Sequence, residues 1–223
     1  MYKKKPLFIS FEGIEGSGKS YQCSKLLRNL KKKKIPTVFS REPGGSFGAE
    51  NIRKLIFSIK KNNFSMNTDT LLYLAARSDH IEKTIIPALK KKKIIICDRF
   101  YDSTLAYQVY GNSVNRIMVD SIHNIILKKT KPDITFLLTV QISKAFERLK
   151  KRKKLNRYDK FSKKFYSKVQ NGFIKLANSN KKRYMIINNS NDSIRVEKQI
   201  LNKIIKILKK WQIRKLQIKY YFQ

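Results

Sequence analysis

Short apolar runs alternate with segments of helical period along this chain. Five of the runs are predicted as buried strands: 6–12, 36–40, 94–98, 133–140 and 184–188. Helical spacing of apolar residues predicts helices over about 19–33, 49–60, 68–87, 102–110, 114–129, 143–180 with a break near 150–157, and a last helix through Val196, Ile200, Ile204 and Leu208. This alternation predicts an α/β fold, in which a five-stranded parallel sheet carries helices on both faces.

The first predicted strand leads into a glycine-rich loop, FEGIEGSGKS at residues 11–20, which satisfies the pattern G-x-x-x-x-G-K-[ST]. In this pattern backbone N–H groups converge on phosphate oxygens, the lysine reaches the β- and γ-phosphates, and the hydroxyl binds Mg²⁺. The strand before the loop and the helix after it favour this interpretation over a glycine turn with a chance lysine. We therefore predict a P-loop NTPase-like fold whose phosphate-binding residues are Gly13, Ile14, Glu15, Gly16, Ser17, Gly18, Lys19 and Ser20.

A phosphate loop alone does not distinguish a GTPase, an ATPase, a helicase or a small-molecule kinase. A second candidate lies at the end of the apolar run IIICD, where Asp98 is followed by Arg99. Ligands of parallel sheets bind beyond the carboxyl ends of the strands. An aspartate there can hold Mg²⁺ through water, and the arginine suits a second phosphate group by bidentate pairing. The alternative is an ordinary surface Asp–Arg pair at a strand end.

Length and composition favour a single domain. The chain has 223 residues, of which 41% are hydrophobic, enough for a core and too many for a disordered chain. We expect one domain over 1–210 and a tail over 211–223 of unreadable function. No apolar run approaches the roughly 20 residues that span a bilayer, and the short run before the glycine loop is unlike a signal peptide. The two cysteines, Cys23 and Cys97, fit a reducing cytoplasm.

The formal net charge of +36 has two interpretations. A basic surface can bind the phosphate backbone of nucleic acids. Alternatively, the charge reflects AT-rich codons, because lysine, asparagine and isoleucine are all abundant here. The basic residues are scattered through every segment rather than gathered on one face. We therefore favour the second interpretation and expect no specific nucleic-acid partner.

Four motifs together resemble the thymidylate kinase family: FEGIEGSGKS, REPGG at 41–45, LLYLAAR at 71–77 and DRFYDSTLAYQ at 98–108. They occur in the family's order and spacing, and RKKLNRYD at 152–159 is similar to the lid of the bacterial form. The resemblance covers about residues 6–208. It implies phosphorylation of dTMP to dTDP by ATP with Mg²⁺, in dTTP biosynthesis, by a cytoplasmic enzyme that is usually a homodimer. Apolar faces of the helices near 49–60 and 68–86 could form the dimer interface or belong to the core.

The resemblance also implies roles for individual residues of the acceptor site. Glu15 would lie near the 3′-hydroxyl of dTMP, and Tyr73 would stack on the thymine ring. Arg77, one helical turn after Tyr73, would reach the base. The remaining implied contacts are Arg53 and Arg99 to the dTMP phosphate, and Ser103, Thr104, Tyr107 and Gln108 along the nucleoside. Whether Thr104 or Gln108 contacts the thymine edge stays open, as does the role of Glu12.

The predicted catalytic residues are Lys19, Asp98 and arginines of a lid at about 147–160. Gly16 stands where some family members have an arginine, so the lid would supply the cation instead. Arg148, Arg152 and Arg157 are available, and Arg152 and Arg157 match the family best; a stretch this basic would contain arginine in any case. Three positions depart from the family pattern: Tyr21, Thr139 and Asn156.

Three other functions are compatible with parts of the sequence. The chain could be another nucleoside monophosphate kinase acting on dUMP, dCMP or a broader set. It could be a P-loop protein that binds nucleic acid, or an inactive kinase retained as a binding module. The motifs at 71–77 and 98–108 favour thymidylate kinase over all three.

Overall fold

The computed structural model describes residues 6–58, 64–128, 130–151, 161–191 and 193–220, with 211–220 described by backbone only. The described residues form a five-stranded parallel sheet of order β2-β3-β1-β4-β5. The strands are β1 Leu7–Glu12, β2 Thr37–Arg41, β3 Ile94–Asp98, β4 Ile134–Thr139 and β5 Tyr184–Asn188. The predicted α/β fold is confirmed, and every strand lies within one residue of its predicted bounds.

The helices are α1 Lys19–Lys32, α2 Phe47–Ser58, α3 Met66–His80, α4 Ile86–Lys90, α5 Tyr101–Thr104, α6 Arg116–Leu127, α7 Ile142–Lys150, α8 Lys163–Ser179 and α9 Ser193–Tyr220. There are also two π-helical segments among the described residues. Ile81–Ile85 connects α3 to α4, and Leu105–Gly111 follows α5. The helix predicted over 102–110 is therefore largely π-helical. The sequence did not predict this, because the wider π-helical turn leaves no clear trace in the spacing of apolar residues. The helix predicted from 114 begins at Arg116, because the Asn115 side chain accepts hydrogen bonds from the N–H groups of Ile117 and Met118.

Helices cover both faces of the sheet, so the inner strands are buried on both sides. Ile9 and Phe11 of β1 belong to one buried cluster with Leu26 of α1 and Ile200 of α9. On the other face, Phe8 packs in a cluster with the buried residues of the π-helical segment after α3. Burial on both sides explains why these strands appear in the sequence as continuous apolar runs rather than alternating ones.

The strand order places the site. The connection from β1 runs past β3 to β2, whereas the connection from β3 runs past β1 to β4. Because these two crossovers run in opposite directions across the sheet, a crevice opens at the carboxyl ends of the strands. The loop after β1 and the turn after β3 both face this crevice. Residues 152–160, with most of the predicted lid, lie outside the described residues. Among the helices described here, none is long and apolar enough to cross a bilayer.

Candidate active site

A cavity of about 270 Å³ lies at the carboxyl ends of β1, β2 and β3. The structure brings the predicted substrate and metal residues to its wall: Glu15, Lys19, Ser20, Arg53, Tyr73, Arg77, Asp98, Arg99, Ser103, Thr104, Tyr107 and Gln108. Arg41, Glu42, Pro43 and Phe57 complete the lining. The cavity is therefore continuous from the phosphate loop to the aromatic side chain of Tyr73.

The phosphate loop turns tightly between β1 and α1. Gly16 and Gly18 have φ angles of +74° and +88°, a region that favours glycine. The Lys19 ammonium folds back over the loop and donates a hydrogen bond to the Ile14 carbonyl at 2.8 Å. Burial, followed by the charge of Arg99, lowers the pKa of Lys19 to about 8. The loop thus holds a poorly solvated cation that gains from the approach of a polyanion.

Position 16 has no room for a side chain. A Cβ there would lie 2.5 Å from the Ala145 carbonyl oxygen of α7, closer than real contacts allow. Arg148, also on α7, donates to the Gly16 carbonyl at 3.1 Å and to the carbonyls of Asn189 and Ser190 at 2.9 Å. Of the three lid arginines, Arg148 therefore links the phosphate loop to the β5–α9 connection. Arg152 and Arg157 lie outside the described residues.

Ser20 and Asp98 meet at the mouth of the loop. Ser20, in the first turn of α1, donates from Oγ to Oδ2 of Asp98 at the end of β3, at 2.5 Å. A hydroxyl and a carboxylate are hard oxygen ligands of the kind that Mg²⁺ takes, usually together with waters and phosphate oxygens. This pair fits the cation that the sequence predicts at these two residues.

Glu15 and Arg99 form an ion pair across the cavity. The guanidinium donates to Glu15 Oε1 at 2.8 Å and to the Gly13 carbonyl at 2.9 Å, while the Tyr107 hydroxyl donates to Glu15 Oε2. Burial opposes ionisation of Glu15, but Arg99 and Lys19 outweigh it and hold its pKa below the ordinary value. Glu15 is therefore an anion that Arg99 and Tyr107 hold at the wall of the cavity.

Glu12 lies beneath this ion pair and is fully buried. Its Oε1 accepts a hydrogen bond from the Phe100 N–H at 2.8 Å, and its Oε2 lies 2.6 Å from Ser103 Oγ. Burial, and then the nearby charge of Asp102, raise the pKa of Glu12 to about 8. These contacts hold the turn after β3, in which Arg99 has a φ angle of +69°.

Arg77 lies in a buried polar network on the far side of the cavity. It donates to Glu42 at 2.7 Å and to the Thr104 hydroxyl at 2.8 Å. NH1 also lies 2.9 Å from Nε2 of His123, and NH2 donates to the Phe100 carbonyl at 3.2 Å. Sequence reasoning missed the roles of Glu42 and His123, because a single buried polar residue leaves no periodic signal. Only the motif REPGG, which includes Glu42, pointed toward part of this network.

The remaining acceptor-side residues lie in the connection after β2 and in α2 and α3. Tyr73 is buried but for its edge on the cavity. Arg53 donates to the Pro43 carbonyl at 2.6 Å, and its guanidinium lies 4.6 Å from the centre of the Phe57 ring. The Glu42–Pro43 peptide is cis. Arg53 and Tyr73 thus frame the part of the cavity opposite the phosphate loop.

Two of the three departures from the family pattern are described. Tyr21 is exposed, with the Lys25 ammonium 5.3 Å from its ring centre. The Thr139 hydroxyl, at the end of β4, lies 3.5 Å from the Ile187 carbonyl of the neighbouring strand. Neither side chain lines the cavity. Asn156 lies outside the described residues.

The sheet order, the glycine loop with its buried lysine and the Ser20–Asp98 pair define a P-loop protein built for phosphoryl chemistry on nucleotides. The profile of the thymidylate kinase family matches residues 11–200. The chain is 41% identical over 212 residues to the thymidylate kinase of Mycoplasma mobile, covering 92% of this chain and all of that one. It is 37% identical to the thymidylate kinase of Mycoplasma capricolum, over 91% of this chain and 96% of the relative.

A solved structure supports the same relationship. The crystal structure of thymidylate kinase from Ehrlichia chaffeensis superimposes with a TM-score of 0.72 at 32% identity, covering 91% of this chain and 98% of that one. The chain belongs to the thymidylate kinase family. The resemblance carried by the four sequence motifs is thereby confirmed.

Proposed function

We propose that this protein transfers the γ-phosphoryl group of ATP to dTMP, giving ADP and dTDP, as a step of dTTP biosynthesis. Family membership supports the reaction. The observation that carries it is one continuous cavity with Lys19 and Ser20 at one end and Arg53 and Tyr73 at the other. Two nucleotides bound in this cavity would meet with their phosphates between the ammonium of Lys19 and the guanidinium of Arg53.

The donor end suits the triphosphate of ATP. Backbone N–H groups of residues 13–20 and the Lys19 ammonium would bind the β- and γ-phosphates. The oxygens of Ser20 and Asp98 would hold Mg²⁺, directly or through water, and the bound ion would neutralise part of the phosphate charge. Lys19 is already desolvated, so its contact with phosphate is stronger than it would be in water.

The acceptor end suits a deoxynucleoside monophosphate. Arg53 and Arg99 would bind its phosphate, and the Tyr73 ring offers a flat face on which a base can stack. Ser103, Thr104, Tyr107 and Gln108 would line the nucleoside, with Arg77 near the base. Glu15 accepts hydrogen bonds in the described contacts and would accept another from the sugar 3′-hydroxyl.

The chemical step needs positioning more than acid–base catalysis. An oxygen of the dTMP phosphate attacks the γ-phosphorus, and the bond from that phosphorus to the β,γ-bridging oxygen breaks as ADP leaves. The attacking oxygen is already anionic, so no strong general base is required. The protein contributes alignment and charge neutralisation. Because position 16 cannot carry an arginine here, we propose that Arg152 or Arg157 of the lid supplies the cation at the transferring group.

We also propose that the enzyme is a homodimer. α2 packs on α3 and α3 packs on α6, and these three helices expose large apolar side chains. Phe47 is 87% exposed, Ile117 76% and Ile125 70%. Exposed apolar residues on adjoining helices suit an interface with a second copy of the chain. A cytoplasmic location is proposed from the free thiols of Cys23 and Cys97, and cell fractionation would test it.

A coupled ADP-release assay tests the proposed reaction. With ATP and Mg²⁺ we expect rapid turnover on dTMP and slower turnover on dUMP and dCMP. Lys19→Ala should lower kcat/KM by about a hundredfold or more, the scale of losing a preorganised charge contact. Lys31→Ala, an exposed lysine at the other end of α1, is the matched control and should leave turnover unchanged. Equal activity of Lys19→Ala, or preference for another monophosphate, would contradict the assignment.

A further inference from the structure

All three nitrogens of the Arg77 guanidinium contact acceptors of the protein. Nε donates to Glu42 Oε2 at 2.7 Å, and NH2 donates to the Phe100 carbonyl and lies 2.7 Å from the same Glu42 oxygen. NH1 donates to Thr104 and lies 2.9 Å from His123 Nε2. An arginine side chain carries its donors in a rigid planar fork, so these contacts orient the plane of the guanidinium, which is 2% exposed.

The partners differ in what they contribute. Glu42 supplies the counter-charge, and its other oxygen lies 3.0 Å from His80 Nδ1, whose Nε2 lies 2.6 Å from Ser40 Oγ. Thr104 and Glu42 line the cavity, and their groups are next to the space that a nucleoside would fill. His123 comes from α6, behind Arg77, and is not part of the cavity wall.

The contact with Arg77 determines the state of His123. A guanidinium only donates, so Nε2 of His123 must accept, and the neutral ring carries its proton on Nδ1. Burial, and then the positive charge of Arg77, lower the pKa of His123 to about 2. The ring is 4% exposed and lies edge-on to Tyr101, with centroids 5.6 Å apart. His123 is therefore a neutral acceptor whose ring is oriented by its contacts with Arg77 and Tyr101.

We propose that His123 is a positioning residue, which holds NH1 of Arg77 from behind and thereby sets the enzyme's affinity for the base of dTMP. This inference rests on the proposed function, because it assumes that the base binds beside Arg77. His123 touches no substrate. It acts through Arg77, because NH1 of Arg77 contacts His123 on one side and Thr104, which lines the cavity, on the other. Without His123, NH1 keeps a buried donor with no acceptor, which favours a shift of the guanidinium from the position that its remaining partners hold.

Kinetics of three His123 variants test the proposal. His123→Leu removes the acceptor and should raise the KM for dTMP about tenfold, the scale of one hydrogen bond to a charged group, with the KM for ATP unchanged. His123→Gln can place its amide oxygen where Nε2 lies and should restore the dTMP KM. His123→Asn is shorter and should not. Val119→Ala, a buried position one turn earlier on α6, controls for loosening of the helix.

Several outcomes would overturn the proposal. They are an unchanged dTMP KM in His123→Leu, an equal rise in the KM for ATP, or no advantage of His123→Gln over His123→Asn. Because Gln and Asn are both polar, their comparison stays informative if the leucine variant does not fold.

The ¹⁵N chemical shifts of the His123 ring provide a readout that does not depend on turnover. We expect an unprotonated Nε2 and a protonated Nδ1 at pH 5 and at pH 8, and a changed Nε2 shift in Arg77→Lys. A protonated Nε2 would refute the Arg77–His123 contact. If the wild-type enzyme instead ignores dTMP, the proposed function fails, whereas the ring shifts still decide whether His123 holds Arg77.

Discussion

Replacing Glu12 by glutamine is expected to stabilise the protein at pH 8 and to change little at pH 5. Glu12 is fully buried, and burial followed by the charge of Asp102 raises its pKa to about 8 from the ordinary 4.5. At pH 5 the folded protein therefore holds this proton and the unfolded chain has released part of it. As the pH rises further, the unfolded chain gives the proton up completely while the folded protein keeps it.

The size of the effect follows from this difference in proton binding. Between pH 4.5 and about pH 8 the folded state binds more protons than the unfolded chain, so the free energy of unfolding falls as the pH rises. Each pH unit costs about 1.4 kcal/mol, and the interval of roughly 3.5 units corresponds to about 4–5 kcal/mol by pH 8. Glutamine keeps the shape of the neutral carboxyl and its acceptor for the Phe100 N–H. It does not titrate, so this pH-dependent loss should disappear.

The assay is urea denaturation of the wild type and of Glu12→Gln at pH 5, 6, 7 and 8. We expect the two curves to separate progressively as the pH rises. Glu50→Gln is the contrasting control. Burial opposes ionisation of Glu50, but the Gly45 N–H and Arg41 outweigh it and lower its pKa. That variant should therefore lose a little stability above pH 5. A Glu12→Gln variant that is destabilised by the same amount at every pH would refute the argument, because Glu12 would then be ionised in the folded protein.

Two further predictions follow from the site and the surface. Binding of ATP at pH 8 should be accompanied by proton uptake. The pKa of Lys19 is about 8 in the free protein, so a fraction of the molecules carry a neutral Lys19 at this pH. The phosphates raise this pKa, and that fraction takes up a proton from the solvent. Calorimetry in buffers of different ionisation enthalpy measures this uptake, and an identical heat in all buffers would contradict it. Sedimentation equilibrium should give twice the chain mass of 26.3 kDa, and Phe47→Asp should shift the protein toward that single mass. A wild-type protein with the mass of one chain would exclude the homodimer.

The sequence predicts the strands well and the helices less well. Strands such as β3 and β4 are short and apolar on both faces, because helices cover the sheet on both sides, and this gives a strong local signal. The helical segments are less regular. The π-helical turns at Ile81–Ile85 and Leu105–Gly111 alter the spacing without a change in composition, so periodicity alone predicts continuous α-helix there.

The candidate site also has parts that the sequence predicts and parts that it does not. The phosphate loop is contiguous, so its residues could be named from their spacing. The contact of Ser20 with Asp98 joins residues 78 positions apart. The sequence predicted only that both residues serve one Mg²⁺, because the carboxyl ends of parallel strands meet at one edge of the sheet. Arg148 lies within the predicted lid at about 147–160 and was one of three arginines available there, yet its guanidinium donates to carbonyls of the phosphate loop and of the β5–α9 connection. Nothing local distinguishes these two roles.

Local pattern was enough to establish a parallel α/β sheet with a phosphate loop at its first strand end, because strand burial and loop geometry depend on neighbouring residues. Only the tertiary structure determined which charged side chains lie next to each other and how their pKa values shift. Burial raises the pKa of Glu12 to about 8, whereas Arg99 and Lys19 hold the pKa of Glu15, three residues later, below its ordinary value. Their pKa values differ because desolvation and charge proximity depend on groups that lie far away in the chain.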